Sequence, residues 1–277
     1  MEVYLVLISS IMFIAFLIPS SKRKYFAIMG WFAIVASILI DLPVYFSENN
    51  FIYPMMGLLG IPFLAITISE LLKENKLVIQ LSRVAAIAFL IYFPFAYIEP
   101  LGNWLISVVF DQMLVIFSVI GFQFTQVDWN MVMHDSFRVE IILACTGIQS
   151  IAIMLAVAWA VPTTTRQKIL SFLLIVPVIY VLNIFRNVFV VIAYTEQWFP
   201  YLPEIASNGE TGYESYFWAH NVLCELGALV ALILIAYLLF LLIPQLGEFA
   251  DGILRLYLEK IREGGDKGKK FFAGQKD

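Results

Sequence analysis

Charge is scarce in this sequence. Of its 277 residues only 14% are Asp, Glu, Lys or Arg, against about 25% in an ordinary soluble domain. Hydrophobic residues make up 61%, and mean hydropathy is +0.88. So few charges exclude a conventional water-facing globule and indicate an integral membrane protein. No basic patch interleaved with aromatics is present, so no nucleic-acid partner is expected. The two cysteines, Cys145 and Cys224, both lie in apolar runs. That excludes a disulfide framework, and no Cys-x-x-Cys pair suggests zinc or redox work. The absence of a His-Glu-x-x-His motif and of paired intramembrane aspartates argues against metal or aspartyl intramembrane proteolysis. No internal repeat and no low-complexity tract precede the Gly- and Lys-rich end. The N-terminal apolar run has no basic stretch before it, so it is expected to be a first span and not a cleaved signal.

What is present is a series of long apolar segments. A helical span needs about 20 such residues, with a range of roughly 17–25. Seven segments qualify: 3–19, 25–41, 52–72, 84–98, 139–161, 169–195 and 216–243. The expected fold is therefore an all-α polytopic membrane protein of about seven transmembrane helices, with an external amphipathic helix and flap. Pro62 and Pro177 are potential kinks. Segment 102–122 is apolar but interrupted by Asn103, Ser107, Asp111, Gln112 and Ser118, and is read as an interfacial helix. The stretch QFTQVDWNMVMHDSFRVE after it alternates loosely, as an extended flap or short hairpin does.

Cytoplasmic loops collect Lys and Arg. If 102–122 does not cross, all of the 17 basic residues except Arg138 and Arg186 fall on one side. These are Lys22, Arg23 and Lys24, then Lys73, Lys76 and Arg83, then Arg166 and Lys168, then the basic residues from Arg255 to Lys276. The opposite loops carry Asp41, Glu48, Glu99, Asp128, Asp135, Glu196, Glu204, Glu210 and Glu214. The expected arrangement is a cell-membrane protein with its N-terminus outside and its C-terminus in the cytoplasm. Four regions follow: a four-span scaffold at 1–98, an external helix and flap at 99–138, a three-span core at 139–243 and a cytoplasmic tail at 244–277. The tail begins as a surface helix (QLGEFADGILRLYLEKIR) and is expected to fray at its end.

The chemistry concentrates in the three-span core. Arg186, in IYVLNIFRNVFVV, lies about nine residues from the outer end of its span, or roughly 13 Å at 1.5 Å per residue. An arginine within a span costs at least about 2.5–3.5 kcal/mol on insertion scales and ordinarily faces a bundle interior. Its bland role is a helix lock paired with Glu225 or Glu140. Cys145, in EIILACTGIQSIAIML, is about six residues from the outer end of its span. A lone membrane cysteine is ordinarily a packing residue, but Thr146 and Gly147 follow it directly, and Gly147 permits close approach. Gln149 and Ser150 add polarity where lipid-facing residues are apolar. His220 opens the last span at a depth matching Cys145. An interfacial histidine needs no function, yet imidazole is a general acid or base near neutral pH. His220 and Cys224 share a helix face, but two ligands make no zinc site. Asn183, Asn187 and Asn221 flank the centre as candidate substrate contacts, together with Thr146, Gly147 and Glu225.

These residues fall into a familiar order. ACTG at the outer end of one span, NIFRN in the next and HN opening the third resemble the exosortase/archaeosortase family. The resemblance covers roughly residues 85–243. It implies a surface-protein processing enzyme with Cys145 as nucleophile and Arg186 as the first conserved arginine. The third catalytic position, an arginine in some members and a histidine in others, is assigned to His220. The implied partners are C-terminal sorting signals (a Pro-Gly-Phe-type motif, a transmembrane helix and a basic tail) and a membrane lipid as acceptor. No metal and no organic cofactor are expected. Three rivals stay open: a plain protease releasing to water, a transporter using Arg186 and Glu225 as a charged pathway, and a non-enzymatic assembly protein.

Overall fold

The computed structural model describes residues 2–47, 52–207 and 209–273. Glu48 and Lys276 therefore lie outside the described residues. In chain order the helices are α1 (Glu2–Phe16), α2 (Arg23–Ile40), α3 (Leu42–Ser47), α4 (Ile52–Leu72), α5 (Lys76–Tyr97) and α6 (Glu99–Ile120). A sheet of β1 (Thr125–Asp128), β2 (Met131–His134) and β3 (Phe137–Glu140) follows, then a 3-10 turn at Leu143–Thr146. The chain continues through α7 (Ile148–Ala160), α8 (Thr165–Thr195), α9 (Pro203–Ala206) and α10 (Tyr213–Tyr216). A π-helical stretch, Phe217–Cys224, runs into α11 (Glu225–Leu242), and α12 (Pro244–Ala273) completes the described chain.

Among the described residues six helical segments are long and apolar enough to cross a membrane: Arg23–Ile40, Pro54–Leu72, Lys76–Tyr97, Glu99–Ile120, Thr165–Thr195 and Tyr213–Leu242. Two shorter apolar helices, Tyr4–Phe16 and Ile148–Ala160, accompany them. The all-helical polytopic class holds, with differences in the elements. The span expected at 84–98 begins earlier, at Lys76, because its charges occupy the first two turns of α5. The span expected at 139–161 does not start as a helix. Its first residues are strand and 3-10 turn, and the α-helix begins only at Ile148. Segment 102–122 becomes α6, whose exposed side carries Trp104, Val115, Val119 and Ile120 beside Asp111, Gln112 and Ser118. Composition thus allows α6 to cross, and its external placement rests on the charge pattern alone. The expected flap is a three-stranded antiparallel meander, β1-β2-β3. The tail, expected to fray, is helical to Ala273.

The chain divides into two compact units. The first comprises 1–90, 156–163 and 243–277. Its core is aromatic: Phe13 meets Trp31 edge-on at 5.1 Å and stacks on Phe89 at 5.5 Å, and Phe63 stacks on Tyr257 at 5.3 Å. Polar ties join its helices. Trp31 Nε1 donates to Ser82 Oγ at 2.9 Å. Thr67 gives its one hydroxyl proton to the Phe63 carbonyl, so Tyr257 donates to Thr67 Oγ1 at 2.6 Å.

The second unit comprises 91–155 and 164–242. Its core joins α6 (Ile106, Val109, Phe110, Met113, Phe117) to the sheet (Val132, Val139) and to α8 (Ile184, Val188, Val191). The buried α6 positions recur at helical spacing, which is why α6 presents one continuous face to the sheet. Tyr180 on α8 donates to Gln112 Oε1 at 2.9 Å. Helix α8 opens with a capping box between Thr164 and Gln167. The Gln167 amide also donates to the Leu242 carbonyl at 2.9 Å. That bond sets the start of α8 level with the end of α11, and it fixes the register in which the two helices face each other.

Candidate active site

Distances along α8 and α11 run from that shared level. Arg186 stands roughly 28 Å along α8 from Gln167, at 1.5 Å per residue. The 18 residues of α11 reach roughly the same height. His220 lies just beyond the start of α11, so the two side chains meet. Arg186 Nη2 donates to His220 Nε2 at 3.0 Å. A guanidinium has no acceptor, so Nε2 carries the lone pair and the ring proton sits on Nδ1, which donates to Asn221 Oδ1 at 2.7 Å. The imidazole is neutral in this arrangement. Because α8 is 31 residues long, about 46 Å, it overshoots a hydrocarbon core of about 30 Å.

The lock expected between Arg186 and Glu225 or Glu140 is not formed. Arg186 bonds to His220, and Glu140 accepts from Asn130 Nδ2 at 3.2 Å. Among the described residues the Glu225 carboxylate has no hydrogen bond or ion pair.

The π-helical stretch carries His220, Asn221 and Cys224. A π turn inserts one residue into the helical repeat, and such insertions recur at functional sites. Tyr216 stacks on His220 with ring centroids 4.8 Å apart and planes at 15°. Tyr216 is the residue that sequence reasoning missed. Its signal was the four-residue spacing to His220, and the π register was invisible.

Cys145 sits in the 3-10 turn, half-buried. Its amide N–H donates to the Ile142 carbonyl at 2.8 Å. Its own carbonyl accepts from Asn183 Nδ2 and from Asn187 Nδ2, each at 2.6 Å. Asn183, Arg186 and Asn187 share one face of α8 by their spacing, so one helix grips the cysteine turn and holds the arginine beside it. The Thr146 hydroxyl is buried and donates to the Leu143 carbonyl at 2.7 Å. Gly147 ends the turn at φ +77°, and a Cβ there would stand 3.1 Å from Asn183 Cγ. Glycine is needed at that position for both reasons.

A cavity of about 600 Å³ opens beside this turn. Ala144, Gly147, Gln149, Ser150, Asn183, Arg186, Cys224 and Glu225 line one part of it. Ile179, Leu182, Phe185, Phe189, Leu223, Gly227, Ala228, Ala231, Leu232 and Ile235 line the rest. The cavity is thus polar beside the cysteine turn and apolar along α8 and α11, as a site for an amphipathic substrate should be. Cys224 faces it directly. Among the described residues no group of three metal-ligating side chains occurs.

Over residues 3–201 the chain matches the family model described as transmembrane exosortase. The matched stretch holds Cys145 and Arg186 and ends before His220. The chain is 31% identical over 196 residues to archaeosortase A of Natronomonas pharaonis, covering 64% of this chain and 62% of that protein. It is 31% identical over 128 residues to archaeosortase A of Haloferax volcanii, covering 44% and 42%. Each alignment spans less than two thirds of the relative's own length. No solved structure matches the chain.

Proposed function

The chain belongs to the transmembrane exosortase family, and from that premise we propose that it is a membrane-embedded cysteine transpeptidase for C-terminal sorting signals. The observation that carries the reading is the constellation beside the cavity. A cysteine held through its own carbonyl stands near a bonded Arg186–His220 pair, where an apolar chamber meets polar surroundings. The substrate is a surface protein ending in a short Pro-Gly-Phe-type motif, a transmembrane helix and a basic tail. The charge distribution supports an outward-facing site with the C-terminus in the cytoplasm.

His220 Nε2 takes the thiol proton of Cys145 as the sulfur attacks the scissile carbonyl. Arg186 turns an N–H from the imidazole to the developing oxyanion; its role is electrostatic, since a guanidinium does not give up its proton readily. The tetrahedral species collapses to a thioester as the C–N bond breaks, and His220 returns the proton to the leaving amine. An acceptor amine or hydroxyl of a lipid head group then loses its proton to Nε2 and attacks the thioester. Cys145 leaves and is reprotonated. With water as acceptor the same steps make a plain protease. The Asn221 carbonyl oxygen holds the Nδ1 proton throughout and so keeps Nε2 as the working nitrogen.

The pathway reading required Arg186 and Glu225 to form a charged pair, and Arg186 is engaged by His220. The second cysteine deserves one specific comparison, because Cys224 itself lines the cavity. Cys145→Ala and Cys224→Ala are compared on a reporter carrying the tripartite signal, in cells and in nanodiscs. Loss with Cys145→Ala and retention with Cys224→Ala are expected, with a hydroxylamine-sensitive adduct on Cys145. Normal processing by Cys145→Ala refutes the nucleophile assignment, and the reverse pattern transfers the role to Cys224.

A further inference from the structure

The strand that leads to Cys145 is the end of its sheet. β3 pairs with β2 on one side only, and the register determines which of its backbone groups are occupied. Ile141 N–H donates to the Asn130 carbonyl at 2.8 Å. In the same register Val139 stands opposite Val132, and Phe137 opposite His134. Successive residues of an antiparallel ladder aim their N–H and C=O at opposite edges. Phe137, Val139 and Ile141 therefore bond to β2, and Arg138 and Glu140 turn theirs outward. Ile142 prolongs the extended backbone, at φ −111° and ψ 173°.

Among the described residues, no hydrogen-bonding group meets the outward N–H and C=O of Arg138 or Glu140. The side chains alternate as well: Arg138, Glu140, Ile142 and Ala144 are exposed, whereas Val139 and Ile141 are buried. The exposed row ends at Ala144, which lines the cavity. An unpaired edge is a template for another strand, and this one runs directly into the cysteine turn.

Resting on the transpeptidase reading, the geometry points to the free edge of β3 as the seat of the substrate's extended segment. The peptide flanking the scissile bond adds to the sheet as a fourth strand, pairs with the backbone of Arg138 and Glu140, and is led to Cys145. Recognition by strand addition takes affinity from main-chain bonds and leaves specificity to side-chain pockets. The occupant is a peptide and not the same edge of a second copy. Two charged residues mark this edge, a feature that discourages edge-to-edge pairing between sheets, and a seat two residues long is too short to hold copies together.

The test uses proline, which removes one N–H. At position 140 that N–H faces outward, so the β2 ladder keeps its bonds, and edge positions tolerate proline. Full-length Glu140→Pro and Glu140→Ala are compared in nanodiscs on a reporter with a Pro-Gly-Phe-type motif, an apolar helix and a basic tail. The proline variant is expected to raise KM about fivefold over the alanine variant, the order of one lost hydrogen bond. The kcat, the melting temperature and the rate of Cys145 alkylation by iodoacetamide stay together with those of the alanine variant. Equal KM for the two variants overturns the proposal. A fall in alkylation rate or kcat alone also overturns it, since that marks a distorted turn. Should Glu140→Pro fail to fold, Arg138→Pro removes the neighbouring outward N–H and is judged by the same outcomes. Processing that survives loss of both cysteines, Cys145→Ala with Cys224→Ala, refutes the transpeptidase reading instead, so the two failures are told apart.

Discussion

Loss of the two asparagine amides that grip the Cys145 carbonyl should be strongly non-additive. Each bond is 2.6 Å long, and both end on the same oxygen from residues one helical turn apart. Removing either amide leaves the oxygen one partner. Asn183→Ala and Asn187→Ala should then each cost about 1 kcal/mol, the net worth of a neutral hydrogen bond. Expressed wholly in the transition state, that is roughly a fivefold loss of rate. The double variant leaves a partly buried acceptor without either amide, which costs about 1–3 kcal/mol beyond the lost bonds. It also frees the turn to drift, and a displacement of about 1 Å at a reacting atom costs about 100-fold. The expected coupling between the two positions is therefore about 1 kcal/mol or more. The assay is kcat and KM on the tripartite reporter, with the alkylation rate of Cys145 measured in a Cys224→Ser background. Additive effects would refute the shared-oxygen argument. A raised KM with unchanged kcat and unchanged alkylation would refute it too, and would return both amides to direct substrate binding.

Other variants examine neighbouring parts of the site. Arg186→Lys keeps the charge but loses the planar fork, and kcat should fall about 100-fold or more, as when an oxyanion donor is removed. Gly147→Ala must hold φ +77° with a Cβ 3.1 Å from Asn183; it should destabilise the protein by about 1–2 kcal/mol and slow alkylation of Cys145. Asn221→Ala releases the Nδ1 proton from its acceptor, and kcat should drop about tenfold with KM little changed, the worth of one hydrogen bond. Phe110→Ala, at a fully buried position between α6, the sheet and α8, should cost about 3–5 kcal/mol in detergent melts.

The asparagine–arginine face was legible before any coordinates, because NIFRN at helical spacing places Asn183, Arg186 and Asn187 side by side. The strand before Cys145 was not. Residues 139–161 form one apolar run, and uninterrupted apolarity cannot separate buried extended chain from buried helix. The break is Gly147, whose left-handed conformation ends the turn and lets α7 begin one residue later. The partner of Arg186 was misjudged because Glu225 lies one turn from His220 on the same helix, and charge alone favoured the carboxylate. The π register placed the imidazole there instead, and a π insertion depends on tertiary contacts that no local pattern announces. Lys76 and Arg83 hid the start of α5 because charge suggested a loop, yet a helix of 22 residues accommodates both near its end.

The hydrogen bond from Gln167 to the Leu242 carbonyl gives α8 and α11 a common zero. Counted upward from it, the guanidinium and the imidazole arrive together whatever surrounds the protein. A thicker or thinner lipid environment can tilt the helix pair or draw it in, as hydrophobic mismatch does to any span. It cannot slide one helix past the other while the tie holds. Inserting a single residue into α11 would shift its upper part by about 1.5 Å and turn it by roughly 100°. Bilayer thickness then governs how far the pair stands from the lipid head groups, and the protein alone governs whether there is a pair at all.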